Sequence, residues 1–425
     1  MAPRLQFETN KTPNAINRSH FALDLHTWTF LNHGAFGAST HEAIKAVEYW
    51  HSQANKQPLK LHDRDLFPLL MQSIEALATF LEVSNPKELV LLPNATSGLH
   101  AVLASILQSR LAKAKTVVLF STRYDAVRAI LQSLQDTHEP HVHVHEEELS
   151  LSDSYDDNKV LDKLEKAFKA VEASGRSVTL VVVDHITSTT AVLMPLRAII
   201  ERCHSRGQGV PVLVDGAHGP LNIPLDLDAL NADYYVGNCH KWLCAPRGAA
   251  FLHVKRVDGP RILPRVVSYG YKDGMQRAFL CTGMQDYSAW LTLPHCLAYW
   301  RRQGVDATRA YMHTLAHEGA RVLSCRWHLS THVQALKVPR VKRHAMRLVQ
   351  LPTMQTLCGG VVVDEKAPNA TLSDAQRVQD ALYSRHRIEV PIKCVERRLY
   401  VRISAHVYNN LEDFERLAVA MIESD

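Results

Sequence analysis

Hydrophobic and polar positions follow two different periods along this chain. Short apolar runs at Leu89–Leu92, Thr116–Phe120, His141–His145, Val178–Asp184 and Val210–Val214 read as strands, and two more follow at Asp233–Gly237 and Ala249–Val254. Around them lie stretches with an apolar face at helical spacing: His41–Gln57, Leu66–Leu81, Pro93 through Ser109, Asp125–Leu134, Lys159–Ala173 and Pro195–Arg206. Alternating β and α with near-continuous apolar strands predicts an α/β fold, its mainly parallel sheet covered on both faces. The pattern is helical from Tyr287 to Arg326, with breaks near Pro294 and Gly304. Beyond it, strands at Arg347–Leu351, Gly359–Val363, Ile388–Pro391 and Leu399–Ile403 join helices at Ser373–His386 and Leu411–Ile422 in a small α+β unit. At 425 residues the chain exceeds one ordinary core. The division falls at 1–304, an N-terminal segment and large domain, and 305–425, a small C-terminal domain.

The strand ends of Val210–Val254 carry the chemistry. The first run delivers Asp215, in D-G-A-H-G-P; the second delivers His240 and Lys241, next to Trp242. Active sites of open α/β sheets lie at such strand ends. A buried strand-end carboxylate is costly without a cationic partner. A lysine to hold the cofactor covalently and an acid to keep its pyridine nitrogen protonated are what pyridoxal phosphate (PLP) catalysis requires. Upstream, P-N-A-T-S-G-L-H (Pro93–His100) sits between a strand and a helix, the setting in which free backbone amides bind phosphate. Ordinary capping by Asn94 or Thr96 is the other reading. In L-N-H-G-A-F-G-A-S-T, Asn32 and His33 read as turn chemistry, and Thr40 caps the following helix.

Composition narrows the class. Hydrophobic content of 46% and a net charge of +5 describe a globular chain, and its scattered basic residues, clustered only at sites such as Lys337–Arg347, do not favour nucleic acid. No run approaches the roughly 20 apolar residues of a membrane span, and the N-terminus has no apolar signal region. Eight dispersed cysteines without paired spacing fit reduced thiols in a cytoplasmic protein, and no C-x-x-C supports a metal site. His141, His143 and His145 share one strand face, but lack distant ligands and read as a solvated edge. The dinucleotide fingerprint, the G-x-S-x-G elbow and the Walker A loop are all absent.

D-G-A-H-G-P, G-N-C-H-K-W-L-C-A-P-R-G, L-N-H-G-A-F-G and the C-terminal Y-V-R-I-S-A-H-V-Y-N together resemble the class V aminotransferase family, PLP-dependent enzymes of fold type I. The nearest branch is the isopenicillin N epimerase-like group, with its cysteine desulfhydrases and hercynylcysteine sulfoxide lyases. The resemblance covers nearly the whole chain. It implies a large domain built on a seven-stranded-type sheet and a homodimer with the site at the subunit interface. Lys241 then matches the Schiff-base lysine, Asp215 the partner of the pyridine nitrogen, and His218 a residue beside the ring or its phenolic oxygen. Ala95, Thr96, Asn238 and His240 match phosphate-binding positions, and Tyr124 the aromatic that stacks on the ring. Arg402 matches the arginine that grips the substrate carboxylate as a fork, and Asn32 and His33 match a substrate loop. One position departs: the family's G-T-x-D is Gly283-Met-Gln-Asp286 here, so Met284 cannot make the cross-subunit phosphate contact and Thr282 is the nearby hydroxyl.

The reaction on this small-molecule amino-acid substrate stays open among three that share these residues: β-elimination from cysteine or a cysteine conjugate or sulfoxide, epimerisation, and transamination. A desulfurase needs an exposed cysteine in a mobile Ser/Gly-rich loop. Cys358, in T-L-C-G-G, is the nearest candidate, and a buried structural thiol is its alternative. Carbon–sulfur lyase chemistry leads on that ground. A non-catalytic protein that keeps the fold is the reading from a different class, and the complete Asp215, His240, Lys241 and Arg402 set argues against it.

Overall fold

Seven strands form the central sheet of the computed structural model, which describes residues 18–108, 115–137, 141–207, 209–255, 261–327, 343–364 and 369–422. The N-terminal segment up to residue 17, Gln208, and the part of the basic run before residue 343 lie outside the described residues. In chain order the strands are β1 (Thr29–Phe30), β2 (Leu89–Leu92), β3 (Lys115–Phe120), β4 (Val142–Glu147), β5 (Val178–Asp184), β6 (Val212–Asp215), β7 (Tyr234–Asn238) and β8 (Ala250–Val254). The last four are β9 (Met346–Gln350), β10 (Ile388–Glu389), β11 (Ile392–Val395) and β12 (Arg398–Ser404). The large sheet has the order β2-β8-β7-β6-β5-β3-β4, and β8 alone runs antiparallel to its neighbours.

Period-two alternation splits this sheet between two apolar layers. Val181 and Val183 of β5 and Val118 of β3 face a core shared with Leu77, Leu164 and Ile199 of helices Leu66–Leu81, Asp157–Ala173 and Leu196–His204. Leu180, Val182 and Val117 face the other way, onto Leu103 and Leu131 of helices Ala95–Leu107 and Asp125–Thr137. Burial on both faces explains why these strands read as continuous apolar runs. β4 closes the sheet as an edge strand, where His145 pairs with Glu147 at 3.3 Å, as the solvated-edge reading expects.

The C-terminal unit is a three-stranded antiparallel sheet, β11-β12-β9, packed on helices Val305–Arg326, Leu372–His386 and Leu411–Ala420. β1 leaves the N-terminal segment and pairs in parallel with β10, which carries Leu31 into the C-terminal core. Two expectations fail here. Gly359–Val363 is no strand: Gly359 and Gly360, at φ +91° and +70°, make a turn closed by the Leu357 amide on Val361 at 2.8 Å. Glycines in left-handed conformation turn the chain where the apolar run suggested extension. Conversely, Ile392–Val395 is a strand that half-polar composition concealed. Arg347, which ends the basic cluster and begins a strand in the sequence reading, is buried, only 2% exposed.

Candidate active site

Parallel strands deliver the polar groups to one end of the sheet. Asp184 ends β5 and Asp215 ends β6, directly paired in register and both buried. Asp215 accepts the Ala217 amide at 3.0 Å. Asn238 ends β7 and accepts the amide of Ala95 at 2.9 Å, tying the sheet to the start of helix Ala95–Leu107. Asn94 caps that helix by accepting the Ser97 amide at 2.9 Å, so the capping reading holds, while Ala95 and Thr96 still line the cleft beside it.

Lys241 follows Asn238 in the β7–β8 connection, and its Nζ lies 3.3 Å from His218 Nε2. On the other side of the His218 ring, the Trp242 indole N–H donates to Nδ1 at 3.4 Å. His240 donates from Nδ1 to the Ala249 carbonyl at 3.0 Å. The D-G-A-H motif is small for a reason: a Cβ on Gly216 would sit 2.0 Å from the Tyr235 ring. These residues surround a cleft of ≈ 160 Å³ that Tyr124 and Phe36 flank at the rim, 46% and 71% exposed.

The L-N-H-G-A-F-G loop clasps the lysine from behind. His33 is fully buried and does not line the cleft; its Nε2 donates to the Lys241 carbonyl at 3.0 Å and its Nδ1 accepts from the Tyr408 hydroxyl at 2.9 Å. Gly37, at φ +65°, brings the chain so close that a Cβ would lie 1.9 Å from the His240 carbonyl oxygen. The stacked ring of His406 donates to the Trp242 carbonyl at 3.4 Å, and Cys244 lies 3.7 Å from that nitrogen. His33, Cys244 and His406 have metal-like proximity. Both imidazole Nε2 atoms are nevertheless committed as donors to carbonyls, which leaves them no lone pair for an ion.

Arg402 enters from β12. Its guanidinium donates to the Ser188 carbonyl and, at 3.2 Å, to Asn32 Oδ1, while Asn32 in turn donates to Glu389 at 2.9 Å. Arg402 is buried, its Nε has no partner, and no carboxylate pairs with it among the described residues. Asn32 thus braces the arginine, and His33 braces the lysine backbone. Sequence reasoning missed Asp184, Ser188 and Phe36. Asp184 carried a usable signal, since it ends the strand beside Asp215; Ser188 and Phe36 reach the cleft only through loop packing.

Burial dominates the electrostatics. It lowers Lys241 to about 8, with Asp215 opposing the change and Arg402 reinforcing it. Burial raises Asp184, and the neighbouring Asp215 charge raises it further; Asp215 itself is raised by burial. His218 is held well below its usual value by burial and by Lys241, so its imidazole is neutral. Burial brings Arg402 down to about 10. The residues fit PLP: a lysine and a carboxylate share one cleft, a helix N-terminus with Thr96 adjoins it, and a guanidinium without an acid stands behind.

Comparison with known proteins agrees. The chain is 28% identical to an L-cysteine desulfhydrase of Arabidopsis thaliana, covering 92% of this chain and 87% of that one. It is 27% identical to isopenicillin N epimerase of Streptomyces clavuligerus, covering 92% and 93%. A solved complex of the cystine C–S lyase C-DES with cysteine persulfide superposes with a TM-score of 0.71, at 20% identity over 96% and 98% of the two chains. That likeness shows the shared fold. The aminotransferase class V model matches residues 39–417, and the chain belongs to that PLP-dependent family.

Proposed function

We propose that the protein is a PLP-dependent carbon–sulfur lyase that performs β-elimination on cysteine or a cysteine conjugate. The carrying observation is a cleft that joins Lys241 and Asp215 and is lined by no cysteine. Of the eight cysteines, Cys358 is buried in the turn after Leu357, and the exposed Cys325 lies at the far end of helix Val305–Arg326. With no thiol at the cleft to accept sulfur as persulfide, sulfur leaves with the leaving group. The cysteine desulfhydrase relatives support the same reading.

Bound in the cleft, PLP supplies an electron sink that acidifies the substrate Cα–H. Lys241 holds the cofactor and then, as a free amine, takes the Cα proton on Nζ. Asp215 would hold the pyridine nitrogen protonated, since a charge fixed in a water-poor site acts most strongly. Arg402, aimed by Asn32 and Ser188, fixes the substrate carboxylate. The Thr96 hydroxyl and the helix start would hold the cofactor's phosphate, with Asn238 and His240 beside them, and Tyr124 would lie against its ring. The organic products are pyruvate and ammonia, with the sulfur fragment released separately.

The same reading includes a cytoplasmic homodimer. Phe36 and Tyr124 at the cleft rim are exposed, and so, elsewhere in the chain, are Val266, Val267 and Tyr269, apolar side chains that a second copy would cover. Met284, which carries no hydroxyl, is 75% exposed, and Thr282 is the nearby hydroxyl. Among the described residues no helix is long and apolar enough to cross a membrane.

The test supplies the PLP-loaded enzyme with cysteine, cysteine S-conjugates and their sulfoxides and assays pyruvate. Pyruvate from any of them supports the lyase. Cα deuterium exchange without pyruvate replaces it by an epimerase, and keto-acid-dependent amino transfer by an aminotransferase.

A further inference from the structure

The hydrogen-bond chain Trp242–His218–Lys241 can be read in only one direction. An indole N–H donates and never accepts, so His218 Nδ1, 3.4 Å away, is the acceptor. A neutral imidazole carries one N–H, which therefore sits on Nε2. That N–H faces Lys241 Nζ at 3.3 Å. An ammonium has three donors and no lone pair, so two hydrogens would meet across this gap; a free amine accepts there. A doubly protonated His218 is disfavoured by its burial and by Lys241, Arg402 and His344.

We infer that Trp242 is a positioning residue that fixes the tautomer of His218 and, through it, holds Lys241 as the free amine. Other groups also act on the lysine. Asp215 and Asp184, from the strand ends, favour its charged form, and Arg402, from the C-terminal unit, disfavours it. His33 and His406 pack against the Trp242 ring, and they bond the backbone carbonyls of Lys241 and Trp242 respectively rather than Nζ. The His218 N–H is thus the one hydrogen bond on Nζ that depends on Trp242. Removing the indole N–H frees His218 to move its proton to Nδ1 and turn the Nε2 lone pair toward an ammonium.

This inference extends the reading of Lys241 as the cofactor's lysine, and its test separates the two. In cofactor-free protein, the rate of reductive methylation of Lys241 is followed against pH by peptide mass spectrometry, in parallel with capture of PLP by absorbance. The intact protein should methylate with a midpoint near pH 8. Trp242→Phe, or the isosteric benzothienylalanine at position 242, which keeps the ring and loses the N–H, should raise the midpoint by about one unit, roughly a tenfold slower reaction at neutral pH. Nitrogen-15 spectra of the unsubstituted protein should show His218 Nε2 protonated and Nδ1 bare, a readout independent of how either variant folds. A protonated Nδ1, or an unmoved midpoint with the isostere, overturns the inference. Methylation that behaves as expected without PLP capture overturns only the cofactor role of Lys241.

Discussion

Two buried cations serve the site, Lys241 lining the cleft on the large sheet and Arg402 behind it on the small one, and they are differently supplied. Lys241 is opposed by the carboxylates of Asp215 and Asp184. Arg402 is held by neutral oxygens, those of Ser188 and Asn32, and keeps one nitrogen free. An uncompensated buried charge is expensive, so this arrangement suits a group that arrives with its own anion. On the proposed function, the large-sheet half serves a resident cofactor and the small-sheet half a substrate that comes and goes.

That contrast breaks most sharply at Lys241. Lys241→Ala should abolish covalent cofactor retention and cut pyruvate release by about 10³-fold or more, given what a positioned base contributes. Asp215→Asn should cost about 10²- to 10³-fold in kcat while PLP still binds, because it removes a preorganised charge from the pyridine nitrogen. Equal loss in the free cofactor's affinity and no change in kcat would contradict that role. Arg402→Lys loses the fork and should raise KM about 10- to 100-fold with the visible spectrum of the loaded enzyme unchanged. If the spectrum changes, the division of labour between the halves is wrong. Asn32→Ala should give a smaller rise in KM, about tenfold or less, since it only aims the arginine.

Outside the cleft, the expected effect is on stability against pH. Burial lowers His33 and His185 to about 3, against an unfolded value near 6.5. The unfolded chain therefore binds more protons below about 6.5, and stability present above that pH is lost on acidification toward 3. Each histidine contributes a slope of about 1.4 kcal/mol per pH unit in that window. His33→Gln, whose amide can still donate to the Lys241 carbonyl, should flatten the decline of Tm. A decline as steep as that of the unsubstituted protein would place the titration elsewhere.

Most of this architecture could be read in advance where local pattern and tertiary environment agree. Helix Leu66–Leu81 and strand Val178–Asp184 form with the expected bounds, because a stripe or run of apolar residues there meets a buried layer. Reading failed where the partner is remote. Ile388–Glu389 is short because its partner is Thr29–Phe30, and Gly359–Gly360 turns because two glycines adopt positive φ. His33 matched a substrate loop by its neighbours in sequence, yet it packs behind the lysine, a placement that follows from contacts with Tyr408 and Lys241.

The sequence by itself determined the alternation of elements, the strand-end positions of Asp215 and Lys241, and the family to which those motifs belong. The first two depend on period and spacing, which are properties of the chain alone, and the third on the likeness of its motifs to a known family. Tertiary structure decided that Asp184 stands beside Asp215, that Asn32 and Ser188 hold Arg402, and that an indole sets the tautomer facing Lys241. Each of these is a contact between residues distant in the chain or a choice of hydrogen-bond direction, and only packing settles such choices.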